Sequence, residues 1–295
     1  MSEPSDAKGW YLYGLIDTHP PVLTLSDLNQ VRCLRFRDMA ALVGEVSLDE
    51  FDESQLKERL NDPKWLERKL WAHEQVLERA LGMATVIPMK FATIFKSEPR
   101  LLAELEAHYD GIVELFKKLR GRHEYGLKVF WDRRIAEAEV EQTHAQAMAF
   151  KEHLVGQPEG TAYLMRKQFK KLIEEEVEKR LNQCLQAICD RLGDVADERQ
   201  LNLVTAEQVV ERHAEMAPPP DLGPKGPRSS NGSPSAKKAG GGMVLNAALL
   251  VATDRREELL AAVSGLQGAF VPCGYSFKLV GPFPPYHFSQ LPELA

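Results

Sequence analysis

The sequence predicts an α+β protein of two domains: an N-terminal mixed α+β domain over 1–121, and a C-terminal modified ferredoxin-like βαββαβ domain over 122–295 with an extended helical crossover. Three observations predict it. The chain has 295 residues, a length that suggests two cores. From residue 125 onward the pattern runs strand, helix, strand, linker, strand, helix, strand. A Pro/Gly-rich stretch at about 218–242 falls inside the hairpin connection of that order, where a long insertion costs little.

The elements follow in chain order. "GWYLYGLI" (9–16) is aromatic and branched and ends before "DTHPP", as a strand ends at a turn. "VRCLRF" (31–36) alternates apolar and charged residues, and "MAALVGEV" (39–46) is a third strand. Arg37 and Asp38 between them make a tight hairpin connection. "DESQLKERL" (52–60) is a short helix. Asp62 then caps a longer helix whose first residue is Pro63 and which Gly82 ends. "ATVIPMKFATIF" (84–95) is two short strand-like pieces around Pro88. Ser97 and Pro99 open one helix that Gly121 closes, with a buried stripe through Leu101, Leu105, Ile112 and Leu119.

"YGLKVFW" (125–131) is a strand. Residues 132–192 read as helical with a single break at "GQPEG" (156–160). The second piece buries Phe169, Ile173, Val177, Leu181, Ile188 and Leu192, and is long enough that its end should project or pair with the helix before it. "ERQLNLV" (198–204) and "MVLNAALLVA" (243–252) are strands, 254–266 a helix and "YSFKLVG" (275–281) the last strand. The segment 218–242 has 12 Pro or Gly in 25 residues and is a disordered linker.

Composition narrows the function. Apolar content is 44%, charged content 27% and net charge −6, which argues against nucleic acid or an anionic membrane as the main partner. The N-terminus carries no signal peptide, and the most apolar stretch is about half a membrane span. The four cysteines form no C-x-x-C or zinc spacing and read as reduced thiols of a cytoplasmic protein.

Chemistry is sparse. There is no phosphate loop and no G-x-S-x-G. "HEQVL" at 73 opens like a zinc-protease motif but has Leu77 where the second histidine must stand. His73 lies on the apolar stripe of its helix, with Glu74 beside it and Lys90 on a neighbouring strand. A structural polar cluster is the reading, and a small-ligand or enzymatic site in this region is the alternative. No catalytic residue, metal or cofactor is expected. The tail "GPFPPYHF" (281–288) is stiffened by its prolines and presents Phe283, Pro284, Pro285, Tyr286 and Phe288 either as a staple between domains or as a partner-contact surface.

"IPMKFATIF" (87–95), "HYDGIVELFKKLRGRHEYGLKVFWD" (108–132), "GTAYLMRKQ" (160–168) and "GPFPPYHF", together with "YLYGLI" and "WLERKLWAHEQVL", occur in an order that resembles the GvpF/GvpL gas vesicle protein family over nearly the whole chain. Lys90 and Ala92 stand where the family pattern usually reads Arg and Gly, and Phe283 and His287 where it favours Trp and Ser. The Pro/Gly segment is an addition. The resemblance implies an accessory or minor structural protein of gas vesicle assembly, not an enzyme, located in the cytoplasm and at the vesicle. The implied partners are the main gas vesicle shell protein and other accessory gas vesicle proteins. Such a protein would keep the hydrophobic shell subunit soluble for incorporation; a fixed component of the vesicle wall is the alternative. The aromatic tail, an exposed edge strand and the projecting helix 161–192 are the candidate contact elements.

Overall fold

Strand β1 (Lys8–Asp17) is the centre from which the N-terminal part of the chain is built. The structure is a computed structural model that describes residues 8–17, 31–48, 50–51, 53–203 and 241–290. The described chain divides into two compact units. The first holds the residues up to Glu124 together with those from Pro282 onward; the second holds those from Tyr125 to Leu203 and from 241 to Gly281.

In the first unit, β1 pairs antiparallel with β3 (Met39–Ser47), which pairs with β2 (Val31–Phe36). Phe36 faces Met39 across the two-residue turn, and Arg37 adopts φ 52 there, as hairpin turns of this length require. On the other side of β1 lie β4 (Val86–Pro88) and β5 (Ile94–Phe95), giving the order β2-β3-β1-β4 with β5 also on β1. Residues 39–44 of β3 are buried without alternation, so both faces of the sheet are covered. After the short α1 (Glu53–Arg59) comes α2 (Pro63–Leu81), with the Asp62 carboxylate accepting from the Lys64 amide. Helix α2 lies so close that a Cβ on Gly14 would stand 2.8 Å from Leu77 Cδ2 and 2.9 Å from the Ile87 carbonyl; glycine is needed for that approach.

One expectation changes here. The single helix over 98–121 is two, α3 (Glu98–Ala107) and α4 (Tyr109–Leu119). His108 interrupts it at φ −109, ψ 8, where its amide and its Nδ1 both turn to the Glu104 carbonyl.

The second unit is a four-stranded sheet in the order β7-β8-β6-β9. Its strands are β6 (Arg122–Trp131), β7 (Glu198–Leu203), β8 (Gly242–Ala252) and β9 (Tyr275–Phe283). On β6, Tyr125, Leu127, Val129 and Trp131 are buried with a period of two. They share one core with Ile173, Val177, Leu181, Ile188 and Leu192 of α7 (Glu159–Val195) and with Leu259, Ala262, Val263 and Leu266 of α8 (Arg256–Phe270). Strand β7 is an edge strand among the described residues, and all six of its residues are exposed.

The helical stretch after β6 has a second break that its sequence does not announce. It opens as α5 (Arg133–Thr143) and α6 (Ala145–Leu154), separated by His144 at φ −81, ψ 119. Helix α7 then runs for 37 residues, about 55 Å at 1.5 Å per residue, and both α5 and α6 pack on it. The exposed face of α7 carries Lys170–Glu174 and Lys171–Glu175 pairs, while the half-buried Arg180 pairs with Glu176 and with Glu139 of α5. The expected linker lies outside the described residues except for its last two glycines, the second of which opens β8.

The tail is the larger correction. Its sequence position after β9 assigns it to the C-terminal domain, but residues 282–290 belong to the first unit. The physical reason is that Phe288 and the two prolines Pro284 and Pro285 find burial there, and two carboxylates of that unit accept hydrogen bonds from Tyr286 and His287.

Candidate functional site

Under the C-terminal strap, the first unit holds a fully connected polar network. Tyr11 projects from β1 and His73 from the middle of α2, and the Tyr11 hydroxyl lies 2.9 Å from His73 Nδ1. The Ala92 amide donates to the Tyr11 oxygen at 3.0 Å. A hydrogen bond from the ring to the Met89 backbone acts to raise the His73 imidazole, against burial; with Nδ1 as the acceptor, the Tyr11 hydroxyl donates to it. His73 is 2% exposed, and burial pushes its imidazole down to about 4, so it is neutral at pH 7. Burial likewise raises the Tyr11 phenol. Around them, Tyr13, Phe51, Trp65 and Phe91 pack edge-on or tilted.

The loop joining β4 to β5 is bent over this network. Thr93 Oγ1 and the Thr93 amide both donate to the Lys90 carbonyl, and Ala92 takes φ 63. This left-handed conformation favours glycine, the residue that the family resemblance implies at this position.

A cavity of about 960 Å³ opens between α2, this loop and the strap; Glu74, Lys90, Phe91 and Tyr286 are among its walls. The structure thus brings His73, Glu74 and Lys90 to one place: His73 buried, Glu74 half-buried, Lys90 exposed at the rim. Burial raises the Glu74 carboxyl, while the bond from Tyr286, at 2.7 Å, acts to lower it. The side-chain hydrogen-bond partner of the His73 ring is the Tyr11 hydroxyl, and burial holds the imidazole down to about 4. Among the described residues no group of three or more His, Cys, Asp or Glu is placed to hold a metal ion.

The strap itself is anchored residue by residue. Pro284 and Pro285 are buried, and their carbonyls accept from the Tyr286 and Phe288 amides in tight turns. Phe288 is 4% exposed and lies with its ring 5.9 Å from the Lys118 ammonium. The buried carboxylate of Glu124 accepts from the His287 amide at 2.9 Å and meets His287 Nδ1 at 2.6 Å. Of the five tail residues singled out from sequence, Pro284, Pro285 and Phe288 face inward, and Phe283 and Tyr286 are half-buried. Sequence reasoning named the tail but missed Glu124 and Tyr11. Glu124 stands on the opposite parity of β6 from the inward Tyr125, Leu127, Val129 and Trp131, so the strand's alternation gave no signal of its burial.

In the second unit, by contrast, apolar side chains stand in solvent around the turn from α6 to α7. Val155 is 82% exposed, Tyr163 65% and Leu164 61%, with Met148 also exposed. Among residues 159–168 only Ala162 is buried. No helix of the described residues is long and apolar enough to cross a membrane.

Comparison with known proteins fits this architecture. The chain matches the family described as gas vesicle synthesis protein GvpL/GvpF over residues 9–290. It is 28% identical to gas vesicle protein L of Streptomyces sp. (strain CB03234), covering 89% of this chain and 84% of that protein. It is 32% identical to gas vesicle protein F of Nostoc sp. (strain PCC 7120), covering 65% of this chain and 75% of the relative. The crystal structure of GvpF from Anabaena sp. PCC7120 superposes with a TM-score of 0.64 at 22% identity, over 97% of this chain and 100% of that one. GvpF from Microcystis aeruginosa gives 0.57 at 19% identity, over 96% and 99%. A match that begins in β1 and ends in the strap leaves one conclusion: the chain belongs to the GvpL/GvpF family of gas vesicle proteins.

Proposed function

We propose that this protein is a non-enzymatic assembly factor that binds the hydrophobic main shell protein of a gas vesicle and keeps it dispersed until incorporation. Family membership supports the gas vesicle role. The observation that supports the binding step is the turn from α6 to α7, around which Val155, Tyr163 and Leu164 are each more than half exposed. A soluble protein keeps large apolar side chains in water at a cost, and a cluster of them is the usual mark of a contact surface. The strand order of the second unit is that of a ferredoxin-like βαββαβ sheet, which is our reading of this domain, with the α6–α7 segment as its extended crossover. The strap is a poorer contact surface than its sequence suggests, because its prolines and Phe288 are spent inside the first unit.

The test is co-expression with the shell protein followed by affinity capture. A double variant Tyr163→Asp, Leu164→Asp places charge beside this turn without touching the core. It is expected to keep the wild-type melting curve and to retain about a tenth or less of the captured shell protein, as loss of a hot-spot pair does. Undiminished capture by the folded double variant would refute the assignment of this surface. Retention of this chain on purified vesicles through urea extraction would favour a fixed wall component instead.

A further inference from the structure

The strap is held at one point by a charged contact that differs from its apolar anchors. Glu124 is 3% exposed, yet both its oxygens are engaged by a single residue, His287: one by the backbone amide, the other by the ring. A carboxylate buried to this degree needs a positive or donating neighbour to remain ionised. The His287 side chain is 54% exposed, so protons reach it freely from solvent.

We propose that the Glu124–His287 pair is a proton-operated catch that fixes the strap, residues 284–290, in its seat on the first unit and thereby closes one wall of the cavity. The strap contributes Tyr286, Ser289 and Gln290 to that wall. When His287 is protonated, the buried carboxylate faces a cation through a short charge-assisted bond. When it is neutral, the carboxylate keeps only uncharged donors from this residue, and the seat weakens. The hydrogen bond to Glu124 raises the His287 imidazole above its ordinary value, against an opposing push from burial. The stabilisation is therefore complete below pH 6.5 and is lost as pH rises through the higher, folded-state value.

The surroundings sharpen the effect. Glu74 and Glu78 of α2 bear on Tyr286 from one side, and Tyr286 itself is pushed far up by burial and by those carboxylates. Lys118 of α4 stands over Phe288, and Lys90 lies across the cavity. On β6, Arg122 and His123 precede Glu124; burial lowers His123, so it titrates on the acid side of the window. By contrast with His123, the contact with Glu124 raises His287.

Hydrogen exchange of the full-length chain tests the catch, read by mass spectrometry on peptides spanning 283–290, with exposure times scaled for the intrinsic rate at each pH. Between pH 6 and pH 9 the protection of the strap is expected to fall about fivefold, the charge-assisted increment of one partly exposed hydrogen bond. Glu124→Gln retains the acceptor but not the charge, and His287→Gln retains a donor but does not titrate. Each is expected to give equal protection at both pH values. Should Glu124→Gln fail to fold, His287→Gln carries the comparison from the surface side. A wild-type strap equally protected at pH 6 and pH 9, or a His287→Gln strap that loses protection as the wild type does, overturns the proposal.

Discussion

Acid should loosen the first unit through His73, and the structure sets the size of the effect. The imidazole is neutral when folded because burial holds it down to about 4, whereas in the unfolded chain it titrates near its ordinary 6.5. Between those values the unfolded chain holds the extra proton, so stability falls as pH falls. A gap of this size corresponds to about 3 kcal/mol once pH is below both values, with about 2.5 kcal/mol already lost at pH 4.5. That is a large share of what holds a domain folded. The perturbation is His73→Asn, which keeps an acceptor for the Tyr11 hydroxyl and removes the titration. Trp10, Trp65 and Trp71 lie in the first unit, so urea unfolding followed by fluorescence in a Trp131→Phe background reports on it. The wild type should lose about 2.5 kcal/mol relative to the variant on going from pH 7 to pH 4.5. A difference that stays constant across that range would mean that His73 is not held neutral, and would refute the network as described.

Two further substitutions probe the same core. Tyr11→Phe strands both the Ala92 amide and His73 Nδ1 without a partner, and should cost about 2–4 kcal/mol in urea unfolding, far more than the loss of one exposed hydroxyl. Ala92→Gly should act in the opposite direction, because it relieves a left-handed residue of about 1 kcal/mol of steric cost; a thermal midpoint that rises by a few degrees is the expected readout.

Much of the architecture was written locally. Asp62 and Pro63 announce the start of α2, and the Asp62 side chain caps it as that pair implies. The alternation of Tyr125, Leu127, Val129 and Trp131 identifies β6 because a strand with one buried face must alternate. Arg37 and Asp38 mark a hairpin because only two residues separate two strand patterns. The break at His144 was not legible, because "THA" contains neither glycine nor proline and nothing in its composition opposes a continuing helix. The site was legible only in part. The placing of His73 on an apolar stripe follows from helical period, but its partner Tyr11 is 62 positions away and no local pattern links them. The strap shows the same limit: its stiffness is readable from three prolines, whereas its landing place depends on Glu74 and Glu124, far earlier in the chain.

Because residues 284–290 complete a body whose other parts are made first, the first unit lacks one of its walls until those residues have left the ribosome. Groove and filler meet only after every intervening residue has been polymerised, a non-local closure of the slow kind. A truncation ahead of residue 284 should therefore be felt in the part of the chain made first.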